Sequence, residues 1–344
     1  MDLQIGRPGV VVPVRVDPTG ALGPTPDQAR GRRWRRTSPG RYVPASVAGD
    51  PLDRVDQRIV EVAAGLPPGT GVTGWAALHW QGARYLDVTR ADGGLRDVDA
   101  ALGDAASIAP RRGVVLSYDW LFADDVGEVD GLPITRPERS VSYAARRART
   151  LEQAVRVIDM AAAADLVDLA SLGRYAERLT GRSGVRRLMA AIDAADENVW
   201  SPMEVTMRLR WTDRGYPRPL CNAPIFDRNG RHLLTPDPFD PTTGVVGEYD
   251  GVVHDLTRVR RRDLDREELC RDHGLERVSM IAADLSSSTF ERRLDSAYQR
   301  ARGRQTRGGW TLEQPAWWVD TTSVARRRQL SIEQRRRWLA HLAG

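Results

Sequence analysis

The chain contains no lysine: all 51 basic residues among its 344 are arginine. That excludes a Schiff-base lysine, a lysine general base and the lysine of a phosphate-binding P-loop; glycine-rich phosphate loops are missing too. The only cysteines are Cys221 and Cys270, too few for a cysteine-built zinc cluster or a disulfide framework. Neither has a nearby His or acid in the pattern of an activated nucleophile. Long apolar runs are lacking as well. The longest uncharged stretch, Val62 to Ala83, is broken by Pro67, Pro68 and several glycines, so no membrane span is expected. Met1 to Pro8 does not read as a signal peptide, and with so little cysteine a reducing cytoplasm is the expected location.

What is present reads as an ordinary globular protein. Hydrophobic residues make up 41% and charged residues 28%, over a length that suits two or three domains. The net charge of +5 is unevenly placed. From Glu291 to Gly344, twelve arginines against five acids leave an excess of seven positive charges, more than the whole chain carries. Arg326, Arg327 and Arg328 form one cluster there, among Trp310, Trp317, Trp318 and Trp338. Arginine pairs with phosphates and aromatic rings stack on bases, so this tail is expected to contact DNA. The plainer alternative is a solvated helix, Ser331 to His341, docked on the body through its Leu and Trp side chains.

Along the chain, Val10 to Val16 reads as a strand interrupted by Pro13. Thr25-Pro26-Asp27 has the composition of a helix start, and Ser38 to Pro44 of a turn into a short strand. Between them, Arg30 to Arg36 is densely basic; Arg32, Arg33, Arg35 and Arg36 are candidate phosphate contacts. Helical spacing covers Asp53 to Ala64, Trp75 to Trp80, Arg139 to Asp165, Leu166 to Leu179 and Val185 to Ile192. Gly113 to Tyr118 reads as a strand. Ser201-Pro202-Met203-Glu204 opens a further helix with a serine cap, proline at the first position and an acid in the first turn. Strands dominate after it. His79, His232 and His341 read as packing or surface residues, and His273-Gly274 as a helix end.

The segment Leu233 to His254 carries the chemistry. Pro241-Thr242-Thr243-Gly244 has turn composition. If that turn closes a hairpin, Asp237 falls opposite Glu248, with β-carbons about 5 Å apart. Strand alternation places Asp250 on the face of Glu248 and Tyr249 on the other. Carboxylates so close repel unless a cation sits between them, and their oxygens suit Mg²⁺ or Mn²⁺. Such an ion orients and activates a water against a scissile phosphate, with His254 as proton carrier or phosphate contact. An exposed acidic hairpin is the simpler alternative, since Pro236 and Pro238 cannot donate to a ladder.

Asp237, Glu248-Tyr-Asp250-Gly251-Val-Val-His254, Asp263-Leu-Asp-Arg266-Glu267 and Gly274 together resemble the Vsr-like branch of the PD-(D/E)xK nucleases. The string Ser201-Pro-Met-Glu204-Val-Thr-Met-Arg208 is similar to that family's opening helix. The resemblance spans roughly Val199 to Arg300. It implies a restriction-endonuclease-like mixed sheet flanked by helices, with Glu204 pointing at the metal site. It implies Asp237 and Glu248 as ligands of Mg²⁺ or Mn²⁺, and support from Asp250. His254 would assist proton transfer and Arg266 would pair with the acids or a phosphate. The superfamily's usual lysine is absent and Asp250 stands in its place, which removes one cation that would stabilise the transition state. Gln28-Ala-Arg-Gly31, Trp34, Gly40-Arg-Tyr42-Val-Pro44 and Gly131 to Ser140 are similar to AbiEi-type antitoxins, which bind promoter DNA through a winged helix. A small unit packing on the rest of the chain fits the same residues.

The expected protein is thus α+β. A winged-helix-like region (1–130) precedes a helical middle (131–198), an endonuclease-like domain (199–302) and a basic tail (303–344). Metal-dependent DNA phosphodiester cleavage is the expected function. The alternatives are an antitoxin-like regulator with an inactive nuclease fold, and a purely structural interaction protein.

Overall fold

A computed structural model describes residues 3–47, 55–83, 85–90, 92–104, 106–250, 256–303 and 308–342. The chain is α+β and divides into two compact units, residues 1–192 and 193–344. Among the described residues, no helix is long and apolar enough to cross a membrane.

The first unit opens with β1 (Val14–Arg15), β2 (Trp34–Ser38) and β3 (Arg41–Pro44). These pair antiparallel in the order β1-β3-β2, with Gly40 at φ 71° in the turn between β2 and β3. The expected helix at Thr25 is only a 3₁₀ turn over Gln28–Arg30, and Thr25 Oγ1 accepts from the Gln28 amide. Then follow α1 (Val55–Ala63), β4 (Gly71–Val72), α2 (Gly74–Trp80), β5 (Val98–Ala101), β6 (Val114–Ser117), β7 (Val126–Val129) and β8 (Leu132–Thr135). The last five strands form a mixed sheet, β6-β5-β4-β8-β7. The 139–165 helical stretch divides into α3 (Pro137–Arg147) and α4 (Leu151–Ala163). Thr150 accounts for the break, because its hydroxyl caps α4 by accepting from the Gln153 amide. α5 (Leu169–Glu177) and α6 (Val185–Ala194) complete the helical stretch.

The second unit begins with α7 (Pro202–Asp213), capped by Ser201, whose Oγ accepts from the Glu204 amide. Next come β9 (Leu220–Cys221), β10 (Ile225–Asp227), β11 (His232–Leu234), β12 (Pro238–Asp240), β13 (Val245–Asp250), α8 (Leu256–Asp272), β14 (Glu276–Ile281) and α9 (Thr289–Arg302). The main sheet runs β14-β13-β12-β9: β9, β12 and β13 are antiparallel neighbours, and β14 returns parallel to β13 through α8. A small sheet pairs β11, β10 and β15 (Trp310–Thr311). Short helices α10 (Val324–Arg328) and α11 (Ile332–Leu342) end the chain.

Period-2 alternation sorts the main sheet's side chains to two cores. Val245, Val278 and Met280 meet Met207 and Trp211 of α7 and Phe290, Leu294 and Tyr298 of α9. Phe239 and Val246 meet Cys270 of α8 and Leu275 on the other face. Gly247 lies on the α7 face, where a β-carbon would fall 2.6 Å from Met207 Cε and 2.5 Å from Pro238 Cγ. The helix can approach the sheet because this position has no side chain. Every second residue after Val246 therefore points to the α8 face: Glu248, then Asp250.

Two of the tail tryptophans, Trp310 and Trp318, pack within this unit. Trp310 lies in β15 with its ring 5.2 Å from that of Phe239. Trp318 stacks on His232 at 5.0 Å and meets Phe226 edge-on at 5.1 Å. Their apolar area is worth more buried against Phe226 and Phe239 than waiting in water. Trp317 is 60% exposed.

Candidate active site

The β12–β13 hairpin forms where turn chemistry and alternation place it. Asp240 pairs with Val245 and Phe239 with Val246, so the loop is Pro241–Gly244. Asp240 closes that loop: its carboxylate accepts from the Thr242 amide at 2.8 Å and the Thr243 hydroxyl at 2.9 Å, and Gly244 sits at φ 79°. Just before β12 the ladder slips by one residue. Pro238 has no N–H, and the Asp237 amide donates to the Gly247 carbonyl at 3.0 Å. Asp237 thus lies beside Glu248 rather than squarely opposite it. Its Oδ2 accepts from the Tyr249 amide at 2.6 Å.

Glu204 reaches the same place from the first turn of α7. Its Oε2 accepts from the Trp200 amide at 2.9 Å and from Asn222 Nδ2 at 2.7 Å. Asn222 also donates to the Asn198 carbonyl at 2.7 Å, and Asn198 donates back to the carbonyls of Cys221 and Asn222 at 2.6 and 3.1 Å. This reciprocal amide pair brackets the carboxylate. Asn222 has φ 45°, a left-handed backbone that Asn tolerates better than most residues, and its own amide donates to the Asp237 carbonyl at 2.9 Å. One residue therefore ties Glu204 and Asp237 together.

The acids are not equally compensated. Glu248 is buried, and an arginine holds each of its oxygens: Arg277 Nε lies 2.6 Å from Oε2 and Arg266 Nη1 lies 3.0 Å from Oε1. Arg277 comes from β14, on the same sheet face, and its Nη2 lies 3.9 Å from Asp250 Oδ2. Asp250 is more open, with 41% of its side chain exposed. Among the described residues, Asp237 and Glu204 have no such arginine partners. Burial pushes the Asp237 carboxyl well above the usual range, helped by the neighbouring Glu204 and Glu248 charges and opposed by the Tyr249 amide and Arg266. Burial likewise raises Glu204, against the Trp200 amide and Asn222. For Asp237 the burial and the Glu204 charge weigh more than the Glu248 charge, and two arginines hold the Glu248 carboxylate.

Sequence reasoning placed Glu204, Asp237, Glu248, Asp250 and Arg266 in one region, and they are brought together there. His254 lies outside the described residues. Arg277 and the Asn198–Asn222 pair were not anticipated; the signals were Arg277 alternating with Val278 in a strand and an Asn-Ala-Pro turn at 222–224. Among the described residues, no group of three or more His, Cys, Asp or Glu side chains is arranged to hold a metal ion. Cys270 is buried and its thiol is pushed up to about 11, by burial first and then by the Glu248 charge.

The candidate phosphate contacts lie elsewhere. Arg32, Arg33, Arg35 and Arg36 are exposed. Arg35 forks onto Glu61 of α1 at 2.6 and 3.0 Å, so its charge is matched within the unit. Arg326 pairs with Asp320, and Arg328 is exposed. Arg327 is fully buried and donates to the Thr321 carbonyl at 3.0 Å, which takes it out of reach of a phosphate.

Compared with protein-family models, with curated proteins and with solved structures, the chain matches none of them.

Proposed function

We propose that the second unit is a Vsr-like, restriction-endonuclease-like domain that hydrolyses DNA phosphodiester bonds with a divalent cation. One observation carries this reading: Glu204 and Asp237 converge beside Glu248, buried and with no arginine or histidine ion pair of their own among the described residues. Buried carboxylates in that state weaken the fold unless a cation joins them. Their oxygens are hard donors of the kind Mg²⁺ and Mn²⁺ take. The order of helix α7, antiparallel β9-β12-β13, helix α8 and parallel β14 supports the same fold.

Asp237 and Glu248 would hold the ion, with Glu204 completing its surroundings. A bound ion would supply Lewis acidity and a water of lowered pKa. The Tyr249 amide fixes one oxygen of Asp237, and the Asn198–Asn222 pair fixes Glu204. An ion held at Glu248 would compete with Arg266, the more exposed of its two partners at 39% against 12%. A released Arg266 would then face the phosphate, supplying positive charge that no lysine can provide. Asp250 orients Arg277, and His254 is assigned proton transfer.

A second reading, an AbiEi-like antitoxin or regulator with an inactive nuclease fold, is favoured by the double arginine hold on Glu248. The deciding experiment is cleavage of plasmid and duplex oligonucleotide DNA with Mg²⁺ or Mn²⁺, wild type beside Asp237→Ala and Glu248→Ala. Metal-dependent cleavage lost in both variants supports the nuclease. No cleavage by the wild type, with retained promoter binding, replaces it with the regulator.

A further inference from the structure

The first unit holds a cavity of about 570 Å³ between α2, α3, α4 and the loop before β5. Five arginines line it, Arg90, Arg96, Arg147, Arg149 and Arg156, against two acids, Asp87 and Asp99. Three of the five are engaged locally. Arg90 lies 3.3 Å from Asp92, Arg156 lies 2.9 Å from Glu152, and Arg96 donates to the Asp87 carbonyl at 3.0 Å. Arg147 and Arg149 differ. Both are exposed at the rim, and among the described residues neither has a carboxylate partner. The Arg147 guanidinium lies over the Tyr143 ring, 5.1 Å from its centre.

The interior has a different character. Tyr143 is buried and its hydroxyl donates to Asp99 Oδ1 at 3.2 Å. Burial pushes the Asp99 carboxyl up to about 6, against the pull of Arg96, Tyr143 and Arg147. Trp75 forms part of the wall, and Tyr85 offers a ring that is 57% exposed. One end of the cavity is therefore cationic, another offers an aromatic face, and a hydrogen-bonding carboxyl sits inside.

We propose that this cavity binds a nucleoside phosphate. Arg147 and Arg149 present planar forks that match phosphate oxygens, and among the described residues neither is held in an ion pair, although Arg147 also acts on the buried Asp99. Tyr85 supplies a stacking face for the base. Asp99 and Tyr143 supply paired groups for a ribose hydroxyl or a base edge. The volume falls in the range of small-molecule and cofactor sites. This site lies wholly within residues 1–192 and is independent of the nuclease reading.

The test is calorimetric titration of the full chain with AMP, GMP, ATP, GTP and inorganic phosphate. At least one nucleotide is expected to bind with a Kd of about 100 μM or tighter, and inorganic phosphate about tenfold more weakly. Arg147→Gln combined with Arg149→Gln should weaken nucleotide binding about tenfold or more, with an unchanged melting temperature. Tyr85→Ala should weaken the nucleotide but not inorganic phosphate. The proposal is overturned if no nucleotide binds at about 1 mM. It is also overturned if inorganic phosphate binds equally well, or if the double arginine variant binds undiminished. A short single-stranded oligonucleotide that binds more tightly than every mononucleotide would likewise overturn the small-ligand assignment.

Discussion

Arg277 reaches across the parallel β13–β14 pair to Glu248, Nε to Oε2 at 2.6 Å, with both side chains almost wholly covered. Removing one partner of a buried pair leaves an uncompensated charge. Arg277→Met should lower stability by about 3 kcal/mol, the low end for such breaks because Arg266 remains. In a Glu248→Gln background the same change should cost much less. Urea denaturation of the four proteins at neutral pH measures the difference; equal costs in both backgrounds would contradict the coupling.

Asp237 should make stability fall as pH rises. In the unfolded chain its carboxyl titrates near 3.8, whereas the folded value is raised. Between the two values the folded state binds more protons, so stability is lost as pH climbs through that window and the loss is complete above it. Glu204 is shifted in the same direction from 4.5. Asp237→Asn keeps an acceptor for the Tyr249 amide and removes the charge. The variant should match the wild type near pH 4 and exceed it by about 1 kcal/mol or more at neutral pH in the absence of divalent ions. Denaturation curves across that range should diverge; parallel curves would sink the idea.

Asn222 serves two ends, a left-handed backbone and a bracket for Glu204. Asn222→Gly keeps the first and loses the second, and Asn222→Ala loses both. The expected order of stability is wild type, then Gly, then Ala, with the Ala variant about 2–3 kcal/mol below the wild type. Thermal or urea melts decide it. An Ala variant as stable as the Gly variant would remove the backbone part of the argument.

Trp318 and Trp317 are adjacent but not equivalent. Trp318 stacks on His232 and meets Phe226 edge-on, so Trp318→Ala should cost about 2 kcal/mol. The more exposed Trp317 should cost about 1 kcal/mol or less on the same change. If both losses are equal, Trp318 is not the anchor. For the same reason, a truncation before Trp310 removes core as well as charge. The basic tail is better tested by charge changes at exposed Arg328 and Arg336.

The hairpin was legible because its signals are local. Pro241 and Gly244 fix the turn, and a period of two then assigns Glu248 and Asp250 to one face. The α7 start was legible for the same reason, through Ser201, Pro202 and Glu204. Arg277 was not, because its place beside Glu248 depends on the parallel register reached through α8, which no local pattern sets. Asn198 and Asn222 act through backbone carbonyls, which leave no periodic trace. The packing of Trp310 and Trp318 was not legible because composition alone does not tell a base-stacking ring from a core ring. With only four phenylalanines in the chain, tryptophans fill the gaps around Phe226 and Phe239.

The most direct test of the proposed cation site is the melting temperature of the full chain, titrated with Mn²⁺ and Mg²⁺, wild type beside Asp237→Asn. An ion that binds only the folded state stabilises it by about 2.7 kcal/mol at a hundredfold excess over its Kd. The wild type should rise steadily with concentration, and Asp237→Asn should begin higher and stay flat. No rise in the wild type at millimolar metal, or an equal rise in the variant, would contradict a cation site at Asp237 and Glu248.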